Sequence, residues 1–211
     1  MTQITHHIPD AMIAAYASGN LAQPFALVVA AHVSLCDDCR ASLGAHQAIG
    51  GAVLESVDGI ALSGSLKDRV LAELDAPIVP EPQYDRNDVY PHPVMAALEG
   101  QSPKWRSVGM GVRQSILSHS EEGSARLLHI PPGQAMPDHS HNGLELTLVL
   151  QGSFSDETGR FGVGDVEIGD EDLEHTPIAD AGLPCICLAA TDAPLRFKSF
   201  VPRLLQPLFR I

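Results

Sequence analysis

The segment His32-Val33-Ser34-Leu35-Cys36-Asp37-Asp38-Cys39 places an imidazole and two thiols within eight residues, at the end of an apolar run that starts near Pro24. If that run is helical, His32 and Cys36 stand four residues apart on one face, a turn from each other. Cys39 follows in the turn beyond. Two soft sulfur donors beside imidazole suit tetrahedral Zn²⁺, which takes four N or S ligands. The fourth has to come from elsewhere, and the adjacent pair His6-His7 is the evident source. The competing reading is two buried cysteines near a surface histidine, and a further nitrogen donor within reach favours metal over it.

Residues 9–76 read as short helices around this segment. Pro9-Asp10 opens the first, since proline is tolerated at the first helical position and an acid suits the positive end. Gly19-Asn20 closes it. Pro24 opens a second helix whose stretch from Phe25 to Ala31 is apolar nearly all round, which predicts central burial. A third runs roughly from Arg40 to Glu55 with Gly44, Gly50 and Gly51 inside, each costing about 0.5–1 kcal/mol relative to alanine. A fourth follows Ser65, with Asp68 in the capping-box place. Its Leu66, Val70 and Leu74 share a face that is expected to pack within the same domain, a partner surface being the alternative. So few helices make a marginal core, and structural zinc is a common remedy because its binding free energy becomes folding free energy.

Residues 77–93 hold Pro77, Pro80, Pro82, Pro91 and Pro93 among acidic and polar side chains, the composition of an extended linker. Beyond it the period changes to that of strands, in segments such as Val108–Leu117, Ala125–Ile130, Leu144–Leu150 and Cys185–Ala190. Many short strands at near-regular spacing predict a sandwich or barrel over 94–211, ending in a tail. Between two of them lies Gly133-Gln-Ala-Met-Pro-Asp-His139-Ser-His141-Asn-Gly-Leu-Glu145. On a strand His139 and His141 point to the same side, and Glu145 opens the next run. His175 follows the turn-rich stretch 164–172. Three imidazoles and a carboxylate suit Zn, Mn, Fe, Ni or Cu, against the alternative of solvated histidines on a polar loop. Cys185-Ile-Cys187 reads as two small core residues, with a pair of oxidisable thiols as the other possibility; a disulfide between them would be strained.

The formal charge is −13, from 26 acidic and 13 basic residues, and no Lys/Arg cluster marks a nucleic-acid surface. Such acidity suits a basic protein partner as well as solubility. No apolar run approaches the ~20 residues of a membrane span, and no signal peptide is evident. Closely paired cysteines point to metal or redox chemistry in a reducing compartment, so a cytoplasmic protein is expected.

Gly133-x₅-His139-x-His141-x₃-Glu145-x₆-Gly152 is similar to the first cupin motif at every position, so residues 94–195 resemble a cupin barrel. The resemblance implies metal ligation by His139, His141, Glu145 and His175. The second motif departs from the pattern, with no proline before the histidine and no asparagine four residues after His175. The first half resembles zinc-binding anti-sigma domains, in which an N-terminal histidine joins H-x₃-C-x₂-C. That implies His32, Cys36, Cys39 and one of His6 and His7; His7 is preferred because it directly precedes the first helix and costs less chain entropy to anchor.

The two in this order resemble the ChrR family of anti-sigma factors over nearly the whole chain. The implied fold is a multidomain α and β protein: a zinc-stapled helical domain at 1–76, a Pro-rich linker at 77–93, and a jelly-roll-like cupin β-barrel with a C-terminal tail at 94–211. The implied role is regulatory, not enzymatic: it holds an extracytoplasmic-function sigma factor away from core RNA polymerase and releases it in response to singlet oxygen. The implied metals are a structural Zn²⁺ in the helical domain and a second, expected also to be Zn²⁺, in the barrel. The alternatives are a cupin metalloenzyme, a dioxygenase or isomerase, and a cupin regulator that senses a small molecule.

Overall fold

A computed structural model describes residues 3–74, 77, 80, 82–137, 139–140, 143–193 and 196–197, the pairs 139–140 and 196–197 through their backbone alone. The chain begins with helices α1 (Asp10–Ala17), α2 (Gln23–Val33), α3 (Asp37–Glu55) and α4 (Leu66–Glu73). Pro9 caps α1 and Pro24 sits in the first turn of α2, where a missing N–H costs nothing. α3 starts before Arg40, because Asp37 and Asp38 lie in its first turn, where carboxylates meet the positive end of the helix. Its glycines do not break it. Ser65 makes no side-chain cap to α4 and has helical backbone angles itself, so the expected capping box does not form. α1 is tied to α3 by the Asp10 carboxylate, which accepts from Ser42 Oγ at 2.7 Å and His46 Nε2 at 2.9 Å.

A short helix α5 (His92–Ala97) opens with Pro91 at its cap and Pro93 in its first turn. These two prolines start a helix rather than extend a linker. The segment before them is already ordered against the protein: Asn87 Oδ1 accepts from the backbone of Val89 and Tyr90, and both side chains pack on the core.

The strands are β1 (Arg106–Gly109), β2 (Val112–Ser120), β3 (Gly123–Ile130), β4 (His139–Ser140), β5 (Glu145–Gln151) and β6 (Ser153–Ser155). They continue with β7 (Arg160–Gly162), β8 (Val166–Gly169), β9 (Glu174–His175), β10 (Ile178–Ala179), β11 (Cys185–Thr191) and β12 (Arg196–Phe197). A six-stranded sheet runs β1-β2-β3-β11-β5-β8, and two three-stranded sheets run β10-β6-β7 and β12-β4-β9. The expected single strand Val108–Leu117 is a hairpin instead. Gly109, Met110 and Gly111 all take positive φ, which turns the chain back between β1 and β2. Gly152 turns β5 into β6 with φ +69°, and a Cβ there would meet the Pro184 carbonyl oxygen at 2.8 Å.

Alternation along the strands gives the large sheet two apolar faces. Leu128, Val149, Cys185 and Cys187 face the barrel interior with Phe154 and Phe161. Leu127, Leu146 and Leu188 face the other way and share one cluster with Ile13, Phe25, Val28 and Val29 of the helices. The helices therefore do not rely on a small core of their own. α2 lies on the outer face of the barrel sheet, and burying each such Leu, Val or Phe contributes on the order of 1.5–3 kcal/mol.

α4 behaves differently from the expectation of a home core. It buries none of its residues, and Leu74 is 72% exposed. The C-terminal tail, Phe200–Ile211, lies outside the described residues. Among the described residues no helix is long and apolar enough to cross a membrane.

Candidate metal centres

The end of α2 builds the first cluster. Backbone N–H groups of Leu35 and Cys36 close onto the His32 carbonyl, so the chain turns within one residue of the helix end. Cys36 becomes the N-cap of α3 and Cys39 falls in its first turn. The segment before α1 brings in the fourth side chain, His7. The ligating atoms of His7, His32, Cys36 and Cys39 all lie within 4.8 Å of one another, with His32 and both cysteines buried. His32 Nε2 is 3.2 Å from Cys39 Sγ, and His7 Nδ1 is 3.3 Å from Cys36 Sγ and 3.7 Å from Cys39 Sγ. These four residues could hold a metal ion.

The neighbour His6 is used otherwise. Its ring lies 4.4 Å from that of Phe161, and its Nδ1 is 3.5 Å from the Asp165 carboxylate.

The electrostatics suit a neutral ligand set. Burial lowers the His32 pKa to about 4 against the opposing pull of the Gly164 carbonyl, which accepts from Nδ1 at 2.9 Å. The ring is thus neutral at pH 7, with Nε2 turned to the sulfurs. Burial pushes Cys39 up to about 11; a hydrogen bond from the Ile8 backbone pulls it down and the Cys36 thiol beside it pushes further up. Without a cation this thiol keeps its proton. A bound ion would displace it, as thiolate ligation requires.

The second region is the barrel. β4 pairs with β9 so that His139 is the Cα partner of His175, and Glu145 opens β5 opposite Gly169 of β8. Glu145 Oε1 accepts from Thr147 Oγ1 at 3.0 Å. The side chain of His139, and His141 altogether, lie outside the described residues.

His175 is buried with Nδ1 2.7 Å from Asp156 Oδ2 and 3.1 Å from Glu167 Oε1. Burial opposes charge on this ring, but Glu167 and Asp156 outweigh it and raise the pKa to about 9. Burial also lifts the Glu167 carboxyl to about 7, with the His175 hydrogen bond pulling down. Asp156 is held below the usual carboxylate range: burial would raise it, and hydrogen bonds from Glu167, His175 and Thr158 prevail. With Nδ1 held by the carboxylates, Nε2 is the nitrogen that would meet a metal.

Residues 94–193 match the family described as the ChrR cupin-like domain. Anti-sigma-E factor ChrR of Cereibacter sphaeroides is 56% identical over 212 residues, covering 99% of each chain. The crystal structure of Rhodobacter sphaeroides SigE in complex with the anti-sigma ChrR matches with a TM-score of 0.81 and 52% identity, over 90% of this chain and 100% of that one. The chain belongs to the ChrR family of anti-sigma factors.

In this ChrR-family chain the His/Cys cluster falls in the helical half and the His175 group in the barrel. The sequence motifs do not include Asp156 and Glu167. Glu167 carried a signal: an acid between Val166 and Ile168 breaks the apolar pattern of a strand on the side that faces inward. Asp156 carried none, since Ser-Asp-Glu-Thr-Gly reads as an ordinary turn. Cys185 and Cys187 are free and buried, with their sulfurs 3.4 Å apart inside the barrel.

Proposed function

We propose that this chain is an anti-sigma factor: its helical half grips an extracytoplasmic-function sigma factor and withholds it from core RNA polymerase, and its barrel governs release. The observation that carries the reading is an apolar surface with no cover. Ile49, Val53 and Leu54 on the second half of α3, and Val57, Ile60 and Leu62 after it, are between 59% and 84% exposed. Val70 and Leu71 of α4, and Leu74 at its C-cap, are exposed as well. Nine bare aliphatic side chains between Ile49 and Leu74 are more than scattered exposure usually leaves, and a partner surface accounts for them. The complex that this chain follows over 90% of its length pairs ChrR with a sigma factor. A net charge of −13 suits a basic transcription factor and speeds encounter.

In this reading His7, His32, Cys36 and Cys39 hold a structural Zn²⁺. Bond lengths of about 2.3 Å to sulfur and 2.0–2.1 Å to nitrogen give a tetrahedral N–S edge of about 3.5 Å. The three N–S separations of 3.2, 3.3 and 3.7 Å bracket that edge. The metal would lock the end of α2 to the start of α3 and so aim the apolar half of α3. A second ion, Zn²⁺ in this proposal, is held in the barrel by His139, His141, Glu145 and His175, where the response to singlet oxygen arises. The protein works in the cytoplasm, beside the polymerase. A metalloenzyme is set aside because the relative matched over 99% of its length is named an anti-sigma factor.

Co-expression with the sigma factor tests the proposal. A complex should co-purify, and Leu54→Asp or Ile60→Asp should weaken it by about thirtyfold or more, roughly 2 kcal/mol at a central contact. A chain that binds the sigma factor equally well with both substitutions would remove the proposed interface.

A further inference from the structure

The metal cluster of the helical half is not supported by helices alone. His32 Nδ1 donates to the carbonyl of Gly164, in the turn between β7 and β8, across 132 residues of sequence. The next residue, Asp165, accepts from the backbone N–H of Thr5 at 2.7 Å and of His6 at 2.9 Å, and its second oxygen accepts from Gly162 N–H at 2.8 Å. Val166 N–H then donates to the His6 carbonyl at 3.2 Å. Ile4 packs so closely on Gly164 that a Cβ there would meet its Cδ1 at 2.5 Å. One imidazole of the cluster is thus oriented directly by the barrel, and the other, His7, through the backbone on which it hangs.

We propose that the β7–β8 turn, residues 162–165, is an outer clamp on the helical metal cluster, so that the barrel sets how tightly the cluster holds its metal. The inference rests on the reading of His7, His32, Cys36 and Cys39 as a metal site. Its physical basis is general: the group that accepts from the second nitrogen of a ligating histidine fixes the tautomer and ring plane, and its removal typically costs 10–100-fold in metal affinity. Here that acceptor is a backbone carbonyl that side-chain replacement cannot delete. Asp165 is the positioning residue through which the clamp can be tested. It also gives the barrel a short route to the cluster, because Glu167, on the His175 ring, stands two residues further on, in β8.

The test uses the full chain. Cobalt(II) replaces the native metal, and the thiolate-to-cobalt charge-transfer band, assigned to the cluster by its loss in Cys36→Ala, is titrated against a competing chelator. Asp165→Ala should lower the affinity about tenfold or more and speed metal release. Asp165→Asn, which keeps an acceptor for Thr5 and His6, should fall between it and the parent. Circular dichroism of the variants checks that they fold; if Asp165→Ala does not, Asp165→Asn decides by the same criterion. A folded variant with unchanged affinity and release rate overturns the clamp. A parent chain with no band that depends on Cys36 overturns the underlying metal reading instead, so the two failures are told apart.

Discussion

His175 and Asp156 form a pair whose side chains are 2% and 0% exposed, with Nδ1 2.7 Å from the carboxylate oxygen. Glu167 of β8 joins them, 3.1 Å from the same His175 nitrogen. Removing Asp156 leaves the His175 ring with Glu167 alone, so the loss should stay below the roughly 3–5 kcal/mol of a buried charge left with no partner. Asp156→Ala should therefore lower the stability of the barrel by about 1.5–3 kcal/mol, the worth of a hydrogen bond to a charged group, while Asp156→Asn, which preserves a hydrogen-bond acceptor, costs less. Chemical denaturation of the two variants, followed by near-ultraviolet circular dichroism, measures the difference. Equal and small losses in both would mean that the pair carries little of the fold.

Cys39 stands against His32 in the helical cluster, and its replacement should affect α2 and α3 differently. Cys39→Ala should abolish one metal equivalent per chain, measured by elemental analysis of the purified protein. α2 should stay in place, because Phe25, Val28 and Val29 pack against the barrel sheet rather than only against other helices. α3 should loosen, because only Cys39 on it is buried. Hydrogen exchange should show fast exchange confined to α3, with α2 protected. Loss of protection throughout α2 would show that the metal, not the sheet, holds this helix.

The anchor of the N-terminal segment is acid-sensitive in a defined direction. Burial would raise the Asp165 carboxyl, but hydrogen bonds from the backbone of Thr5, Gly162 and His6 outweigh it and hold it below its ordinary value. A carboxyl lowered in the folded state contributes stability that is complete above its unfolded-chain value of about 3.9. That contribution disappears as pH falls through the lower folded value. Between neutral pH and about 5 the parent should therefore show no loss from this group, and below about 4 it should lose stability faster than Asp165→Asn. Urea midpoints measured across that range check the sign; parallel curves would place the anchor elsewhere.

What could be read from the chain followed from short spacings. His32, Cys36 and Cys39 come together because a helix end and a tight turn leave few other arrangements, and the switch from a helical to an alternating pattern marks where the barrel starts. Contacts that join distant parts left no comparable trace. Nothing in Gly164 suggests that its carbonyl meets His32, since a backbone group has no sequence signature. The stripe Leu66, Val70 and Leu74 looks the same whether its partner is this chain or another, so the pattern does not reveal that α4 buries none of its residues at home. The hairpin at Met110 resembles one strand in sequence because a methionine at positive φ is uncommon and only the two flanking glycines hint at it.

Cys185 and Cys187 lie on β11 with their sulfurs 3.4 Å apart, and their surroundings decide how they react. The neighbouring Cys185 thiol, then burial, push Cys187 well above the usual thiol value. The thiolate is the nucleophile, so a buried thiol held protonated reacts slowly with alkylating reagents. In the folded protein at neutral pH neither residue should be labelled by iodoacetamide within the time that a free cysteine is consumed, and both should be labelled once the barrel is unfolded in denaturant. Mass spectrometry of peptides spanning 185–187 reads the outcome directly. Rapid labelling of the native chain would show that the barrel opens to solvent far more often than its packing implies, and would make this pair a candidate for direct oxidation rather than two small residues filling the core.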